Sequence, residues 1–404
     1  MKQRFEELDS LRGIAAMSVL VFHCLISFPL FYNANYSQQF SNKLVEFFTS
    51  TPLKLLWSGN EPVLLFFVLS GFVLALPFLK RADSPGPAYW TYAIKRFCRI
   101  YIPYIAIMAV SIIIMTAFAN HSPDTNMSPT YNDRWDHAVS IKAIVAYILM
   151  LNYDTTNVNG VVWTLFHEMR ISLIFPLLMI AVVRFSWIKS LLLTFTFTAV
   201  AFVAIGYLSN FTPDGLTSVA VYSLRETVYY TPFFLLGAVL AKYRTSLTSI
   251  FQPFNRLVKW MLTLLSLTLI SNNWLFYTLS FKQPIAQDLM TAIGILLLFI
   301  IVISSNTRSV LTTKPLLFLG KISYSLYLVH IPVIMLSSLY LSKFISMQVA
   351  FLLVPVISVP IAYFSYKFIE LPSISAAQVS IKWLSTRKLS SFKLITPQKK
   401  PIIK

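Results

Sequence analysis

Long apolar runs recur along this 404-residue sequence, and they constrain its fold more than any other feature. A helix of about 20 predominantly apolar residues is long enough to cross a lipid bilayer. Only 12% of the residues are charged, whereas a soluble domain would have about a quarter. The runs therefore predict an all-α fold, in the form of a polytopic membrane helical bundle.

We predict about ten membrane spans, with the N- and C-termini both cytoplasmic. Most basic loop residues fall on the side assigned to the cytoplasm, which is the usual orientation signal. Segment 141–151 is apolar but too short to span comfortably, so we predict an interfacial or re-entrant helix on the outer side. The predicted spans cover residues 12–32, 61–79, 100–119, 163–183, 187–208, 228–242, 257–279, 286–305, 316–339 and 345–369.

The spans make up one predicted membrane domain, residues 1–372, because no polar stretch is long enough for a second core. Residues 373–404 are predicted to be a basic cytoplasmic tail, either disordered or lying on the membrane surface. The net charge of +18 comes from short loops and this tail, which indicates membrane topology and not nucleic-acid binding. Cys24 and Cys98 lie in or beside apolar segments, which argues against a disulfide framework or a metal site.

The first span carries two ionisable residues, Arg12 and His23, on one face of the helix. They are eleven positions apart, so they lie about three turns and about 16 Å from each other along the axis. Ionisable groups inside a membrane span are costly and usually functional. Because the ordinary pKa of an imidazole lies near neutrality, His23 is a candidate general base.

Arg96 and Arg99 form a second basic feature, three residues apart and thus on one helix face. They are either ordinary cytoplasmic anchors or a clamp for phosphate groups, which guanidinium geometry suits.

A third feature is the segment that starts at Trp163 and contains Glu168. We expect Glu168 at a depth comparable to that of His23, where its carboxylate could orient the imidazole. It could equally pair with Arg170 or with Arg12. Trp163 is either an interfacial aromatic residue or a substrate contact.

The ninth span contains Tyr327 and His330, three residues apart. A second histidine in the membrane could shuttle a proton or bind a hydroxyl-rich substrate, although polar packing between helices is an alternative. The second span contains Ser70 and Gly71. A nucleophilic serine needs a strand–turn–helix elbow, so we expect close helix packing at Gly71 and no hydrolase site.

Taken together, these motifs resemble those of acyltransferase family 3, a family of integral membrane acyltransferases that includes bacterial polysaccharide O-acetyltransferases. The resemblance rests on the order and spacing of five motifs across residues 5–372. They are Arg12 with His23 in LDSLRGIAAMSVLVFH, then FFVLSGFVL, RFCRIYIP with Arg96 and Arg99, VWTLFHEMRISLIFP with Trp163 and Glu168, and ISYSLYLVHIPV.

The resemblance implies an O-acyltransferase that moves an acyl group, most simply acetyl, from cytoplasmic acyl-CoA to a hydroxyl. The acceptor would be a cell-surface carbohydrate or a lipid-linked sugar at a bacterial cytoplasmic membrane. We favour direct attack on the thioester over an acyl-imidazole on His23. The implied site residues are His23, Arg12 and Glu168 as catalytic, with His23 as general base, Arg96 and Arg99 as acyl-CoA-binding, and Trp163, Tyr327 and His330 as substrate-binding.

The resemblance implies no permanently bound cofactor and no metal. Some members of the family carry a fused extracytoplasmic domain, and we expect none here, although a separate extracytoplasmic partner protein is compatible with the pattern. The alternative function is a multi-pass transporter or flippase in which Arg12, His23 and Glu168 line a proton or substrate path. That alternative leaves the full motif set unexplained, and the internal repeat typical of many transporters is missing from the sequence.

Overall fold

The computed structural model describes residues 5–79, 88–119, 122–272, 284–304 and 308–386. Within these ranges every regular element is helical, which confirms the predicted all-α fold. The long helices, in chain order, are α1 (Glu6–Leu25), α2 (Asn60–Ala75), α3 (Tyr89–Phe118), α4 (Trp163–Arg184), α5 (Trp187–Leu208), α6 (Leu216–Phe251), α7 (Arg256–Ile270), α8 (Pro284–Ser304), α9 (Lys314–Tyr340), α10 (Met347–Ser365) and α11 (Leu371–Thr386).

Seven helical stretches in the described residues are long and apolar enough to cross a membrane, and they contain α1, α3, α4, α5, α8, α9 and α10. The other three predicted spans fall on α2, α6 and α7. Helix α2 has 16 residues and α7 has 15, so both are short for a span, whereas α6 is long but less apolar. Residues 273–279 of the seventh predicted span lie outside the described residues. The side on which the termini lie stays a prediction.

Shorter helices connect the long ones. The helix Ile141–Ile148 is only about 12 Å long, which agrees with the prediction that this segment does not span. The predicted tail begins inside α11, so its first part is helical, and residues 387–404 lie outside the described residues. The remaining short helices are Pro29–Tyr32, Asn33–Ser37, Lys43–Thr49, Pro52–Trp57, Pro129–Asn132, Thr155–Asn159, Gly160–Val162, Ser209–Phe211, Arg308–Leu311, Leu341–Lys343 and Tyr366–Glu370.

The chain divides into two compact units. Unit 1 consists of Met1–Phe66, Tyr104–Thr164 and Ser246–Phe368, and unit 2 consists of Phe67–Pro103, Leu165–Thr245 and Ile369–Lys404. In unit 1, α1 packs against α9, α9 packs against α10, and α7 packs against α8.

The contact between α1 and α9 depends on two glycines that let the backbones touch. A Cβ atom on Gly320 would lie 2.3 Å from the carbonyl oxygen of Asp9, and one on Gly13 would lie 2.5 Å from the Gly320 nitrogen. Small residues of this kind allow close helix packing where lipid surrounds the bundle. The close approach fixes the register of α1 on α9 and thus the partners of the side chains farther along both helices.

We expect Gly320→Ala to destabilise the fold by about 1–3 kcal/mol, because the added methyl group must push one backbone away from the other. The measurement is the thermal unfolding midpoint in detergent. Gly160→Ala is the matched control, since its Cβ would meet its nearest neighbour, Thr156, at an ordinary 3.8 Å. Equal midpoints for both variants would contradict the tight crossing.

In unit 2 the predicted close packing at Gly71 is confirmed. A Cβ atom there would lie 1.9 Å from the carbonyl oxygen of Phe234, so α2 and α6 touch backbone to backbone. The neighbouring Ser70 lies within helix α2, and its hydroxyl donates a hydrogen bond of 3.0 Å to Glu168 Oε1. This helical setting agrees with the prediction that Ser70 does not lie on a strand–turn–helix elbow.

Candidate functional site

Unit 1 contains a cavity of about 630 Å³. It lies at the C-terminal end of α1, where Val19, Phe22 and His23 form part of its wall. Other parts of the wall come from the first residues of α2 and α8, from Gly160 and Val161, and from residues of the segment 34–54. One end of several helices therefore surrounds the space, and His23 is placed at its edge because it lies in the last turn of α1.

The cavity is lined by charged and amide groups as well as apolar ones. Asn60 donates a hydrogen bond of 2.7 Å to Asp288 Oδ1, and Lys54 Nζ donates one of 2.7 Å to Asn35 Oδ1. Burial lowers the pKa of the Lys54 ammonium. Such a lining offers both donors and acceptors, which is what a hydroxyl-rich ligand requires. Besides His23 and Tyr327, the polar and charged members are Asn35, Tyr36, Gln38, Thr49, Ser50, Lys54, Asn60, Glu61, Asn272, Gln287, Asp288 and Thr291.

The imidazole of His23 is held by a guanidinium. Arg134 Nη2 lies 3.0 Å from His23 Nδ1, and Arg134 is only 4% exposed. Ser27 links the two residues, because its hydroxyl donates to the His23 carbonyl oxygen at 2.7 Å and lies 3.4 Å from Arg134 Nη1. Burial lowers the pKa of Arg134 to about 10, so it stays charged at neutral pH.

His330 and Tyr327 of α9 lie next to this pair. The rings of His23 and His330 have their centroids 5.3 Å apart, and His330 is fully buried. Tyr327 lines the cavity and donates a hydrogen bond of 3.0 Å to the carbonyl oxygen of Val161, and its hydroxyl also lies 2.9 Å from Thr164 Oγ1. Trp163 lines the same cavity. The structure thus gathers four of the predicted site residues in unit 1.

Arg12 lies on the same helix as His23, about 16 Å away along the axis. It is half-buried and is not among the described residues that line the cavity. Arg12 and His23 therefore lie at different places along that helix.

The three remaining predicted residues belong to unit 2. Arg96 and Arg99 are half-buried on α3, and the Arg96 guanidinium lies 5.8 Å from the ring centroid of Tyr92. Glu168 accepts the hydrogen bond from Ser70. Arg170, one alternative partner of Glu168, instead donates to Ser223 Oγ at 2.7 Å. The orientation of His23 by Glu168 stays a prediction. Within unit 1, the charged group that contacts the His23 ring is the Arg134 guanidinium.

Sequence reasoning missed Arg134, Lys54, Glu61 and Asp288. Arg134 is 111 residues from His23 and lies in a loop of mixed charge, so no spacing connects the two. Asn60 and Asp288 are 228 residues apart. Lys54, Glu61 and Asp288 lie in or beside apolar runs, which is the local signal that the sequence offers for them.

Comparison with known proteins places the chain among acyltransferases. A family model described as an acyltransferase domain, that of acyltransferase family 3, matches residues 5–367. A protein named "Putative O-acetyltransferase" from Staphylococcus aureus strain MRSA252 is 24% identical over 410 residues, which is 94% of this chain and 59% of the relative. Proteins of the same name from strains COL and N315 are 24% identical over 407 residues, 93% of this chain and 58% of each relative.

The chain therefore spans less than two thirds of the length of these relatives. No solved structure matches it.

Proposed function

This chain belongs to acyltransferase family 3 and has several helices long enough to cross a membrane, and from this we propose that it is a multi-pass membrane O-acyltransferase. The donor of the proposed reaction is cytoplasmic acyl-CoA, most simply acetyl-CoA. The acceptor is a hydroxyl of a cell-surface carbohydrate or lipid-linked sugar. The single observation that carries the proposal is the cavity of about 630 Å³ with His23 at its wall. A sugar fits such a space because its hydroxyls can pair with the amides and carboxylates that line it. The family and the names of the relatives support the reaction class.

The donor site is proposed from charge and chemistry. Coenzyme A carries several phosphate groups, and guanidinium groups bind phosphates in a bidentate manner. We assign this role to Arg96 and Arg99 of α3. Arg12 is proposed to bind the donor at the end of α1 opposite to the cavity. Glu168 is proposed to be a further catalytic residue.

In the proposed reaction the acceptor oxygen attacks the thioester carbonyl carbon and the carbon–sulfur bond breaks. The hydroxyl proton ends on the thiolate sulfur, so that the products are an ester and free CoA. Direct attack is favoured, and an acyl-imidazole on His23 is the two-step alternative. Tyr327 and Trp163 are proposed to hold the acceptor beside His23. His330, predicted from sequence to bind substrate, is buried next to the His23 ring, so its proposed role is to support that ring.

An imidazole at this position can assist in two ways. A lone pair on nitrogen removes the hydroxyl proton, which is the general-base role predicted from sequence. Alternatively, an N–H group stabilises the negative charge that develops on the carbonyl oxygen. The tautomer of His23 decides between these roles.

We place this activity in the cell membrane, and a bacterial cytoplasmic membrane suits both the relatives and the donor. A separate extracytoplasmic partner protein could present or modify the acceptor. No bound cofactor enters the proposed reaction, and acyl-CoA is a substrate.

The test is binding and turnover of radiolabelled acetyl-CoA by the purified protein in detergent. We expect saturable binding and slow release of free CoA, which rises when a suitable acceptor is added. A well-folded protein that binds no acyl-CoA of any chain length would overturn the proposal, and the transporter alternative would then be tested by flux in vesicles.

We further expect Arg96→Ala to weaken acetyl-CoA binding by about tenfold or more, because hydrogen bonds to charged groups each contribute about 1.5–3 kcal/mol. Acceptor binding should change little. Isothermal titration with each ligand measures both effects, and Lys95→Ala, an exposed neighbour on the same helix, is the control. Equal losses for donor and acceptor would count against a phosphate clamp.

A further inference from the structure

We propose that Arg134 is a positioning residue that fixes His23 in the tautomer with its proton on Nε2, so that His23 acts as an N–H donor to the thioester carbonyl oxygen and not as a general base. This inference rests on the proposed function for the reaction, but the tautomer itself can be measured without activity. Arg134 was not singled out by any sequence motif.

The contact between the two side chains carries the assignment. Arg134 Nη2 and His23 Nδ1 are 3.0 Å apart, which is hydrogen-bond distance. A guanidinium has five N–H donors and no acceptor, so Nδ1 must supply the lone pair. A neutral imidazole carries one proton, and that proton must then be on Nε2.

The surroundings hold Arg134 in place. The segment that contains it is tied to the end of α1, because Ser128 Oγ donates to the carbonyl oxygen of Ile26 at 2.7 Å and the Ser128 backbone N–H donates to Ser27 O at 2.9 Å. On the other side, the backbone N–H of Trp135 donates to Asn157 O at 2.8 Å. These hydrogen bonds therefore hold the segment of Arg134 in a fixed position, with the guanidinium next to the imidazole.

The residue after Arg134 has an unfavourable backbone conformation that the fold maintains. Trp135 has a φ of +55°, in the left-handed region that bulky side chains rarely adopt. Such a conformation is unfavourable for a bulky residue and persists only where the surroundings determine it. Here the Trp135 indole donates a hydrogen bond of 3.3 Å to Val158 O.

His23 and Arg134 line different cavities. His23 lines the large cavity, whereas Arg134 lines a separate cavity of about 40 Å³ with Tyr131 and Met335. On α9, His330 Nδ1 donates to the Leu326 carbonyl oxygen at 3.2 Å, which orients the ring that lies beside His23. Because the guanidinium contacts Nδ1, the proposal assigns Nε2 as the nitrogen that meets the substrate.

The direction of the hydrogen bond from Arg134 to His23 determines which chemistry the imidazole can perform. A general base at Nε2 would need an acceptor, such as a carboxylate, opposite an Nδ1–H group, and the structure has a donor there. A neutral imidazole whose N–H group points at a carbonyl oxygen polarises that carbonyl. As the acceptor oxygen bonds to the carbonyl carbon and the carbon–sulfur bond breaks, His23 keeps its proton. The hydroxyl proton ends on the thiolate sulfur, and Glu61 or Asp288 of the cavity wall can carry it.

The direct test is nitrogen-15 NMR of the full chain, labelled on its histidines, in detergent micelles at neutral pH. The His23 signals are identified by their loss in His23→Ala. We expect an unprotonated Nδ1 and a protonated Nε2 in the wild type, and loss of this single state in Arg134→Met. A protonated Nδ1 in the wild type would overturn the proposal.

The kinetic test compares Arg134→Met with Arg134→Lys. Removing the donor of an oxyanion site lowers turnover by about 10²–10³-fold. Arg134→Met keeps the His23 donor but no longer fixes its proton and orientation, so we expect a kcat loss that approaches about 10²-fold, with little change in KM for acetyl-CoA. Lysine keeps a charged donor and should recover part of kcat. Arg256→Met, at an exposed arginine, is the control.

An unchanged kcat in folded Arg134→Met would overturn the positioning role. If that variant does not fold, the wild-type NMR spectrum still decides the tautomer. An Nε2–H tautomer in a protein that binds no acyl-CoA would leave the tautomer standing and refute the proposed function.

Discussion

Replacing His23 by alanine is expected to lower acyl transfer by at least about 10²-fold while the protein remains folded. The reason is that the end of α1 places His23, the imidazole proposed to act as a base or as an N–H donor, at the wall of the large cavity, which Tyr327 also lines. Truncation removes both the lone pair and the N–H group, so either role of the imidazole is lost. Release of free CoA from acetyl-CoA in the presence of an acceptor measures the effect, and acetyl-CoA binding should persist.

The control for this variant is His137→Ala. His137 is an exposed histidine that contacts Asp136 and Asp154, and its loss should leave turnover unchanged. His23→Gln adds a second comparison, because the amide keeps an N–H donor and lacks a useful base. Activity of His23→Gln above that of His23→Ala would favour the donor role, and wild-type activity in folded His23→Ala would refute any role for this residue.

Replacing Arg12 by alanine is expected to lower kcat/KM by about 10²-fold or more. A bidentate guanidinium contact comprises two charge-assisted hydrogen bonds, each contributing about 1.5–3 kcal/mol. Arg12 lies about 16 Å from His23 along α1, so its loss should act through the donor and leave the cavity intact. Steady-state kinetics with varied acetyl-CoA, together with direct binding, measure the effect.

Arg12→Lys should recover part of the activity, since it keeps the charge and loses the bidentate geometry. Arg184→Ala removes an exposed arginine at the end of α4 and should be neutral. If Arg12→Ala binds and turns over acetyl-CoA as the wild type does, Arg12 is a topological anchor and no part of the site.

The sequence by itself determined the helical architecture. The length of an apolar run is a local property, and a chain in lipid must satisfy its backbone hydrogen bonds within each helix. This is why the predicted spans fall on the long helices and why the short segment at 141–151 forms a helix of only eight residues. Helical periodicity likewise placed Arg12 and His23 on one helix at a known separation.

The sequence also indicated part of the site. Tyr327 and His330 were singled out because they are polar residues in an apolar span, and both lie at or next to the wall that contains His23. Close packing at Gly71 was also predictable, because a small residue in a membrane helix allows a neighbouring helix to approach closely. The depth of Glu168 stays a prediction from its position in a span. Depth also leaves rotation about the helix axis open, and in the structure its carboxylate contacts Ser70.

Only the tertiary structure decided which charged group touches His23. Arg134 reaches the imidazole across 111 residues, through a loop tied to α1 by Ser128 and to the segment near Asn157 by Trp135. Likewise, Asp288 meets Asn60 across 228 residues. Contacts of this kind depend on how helices and loops pack, and no local period or spacing encodes them. The sequence thus specified an imidazole in a membrane helix, and the fold determined which of its nitrogens accepts a hydrogen bond.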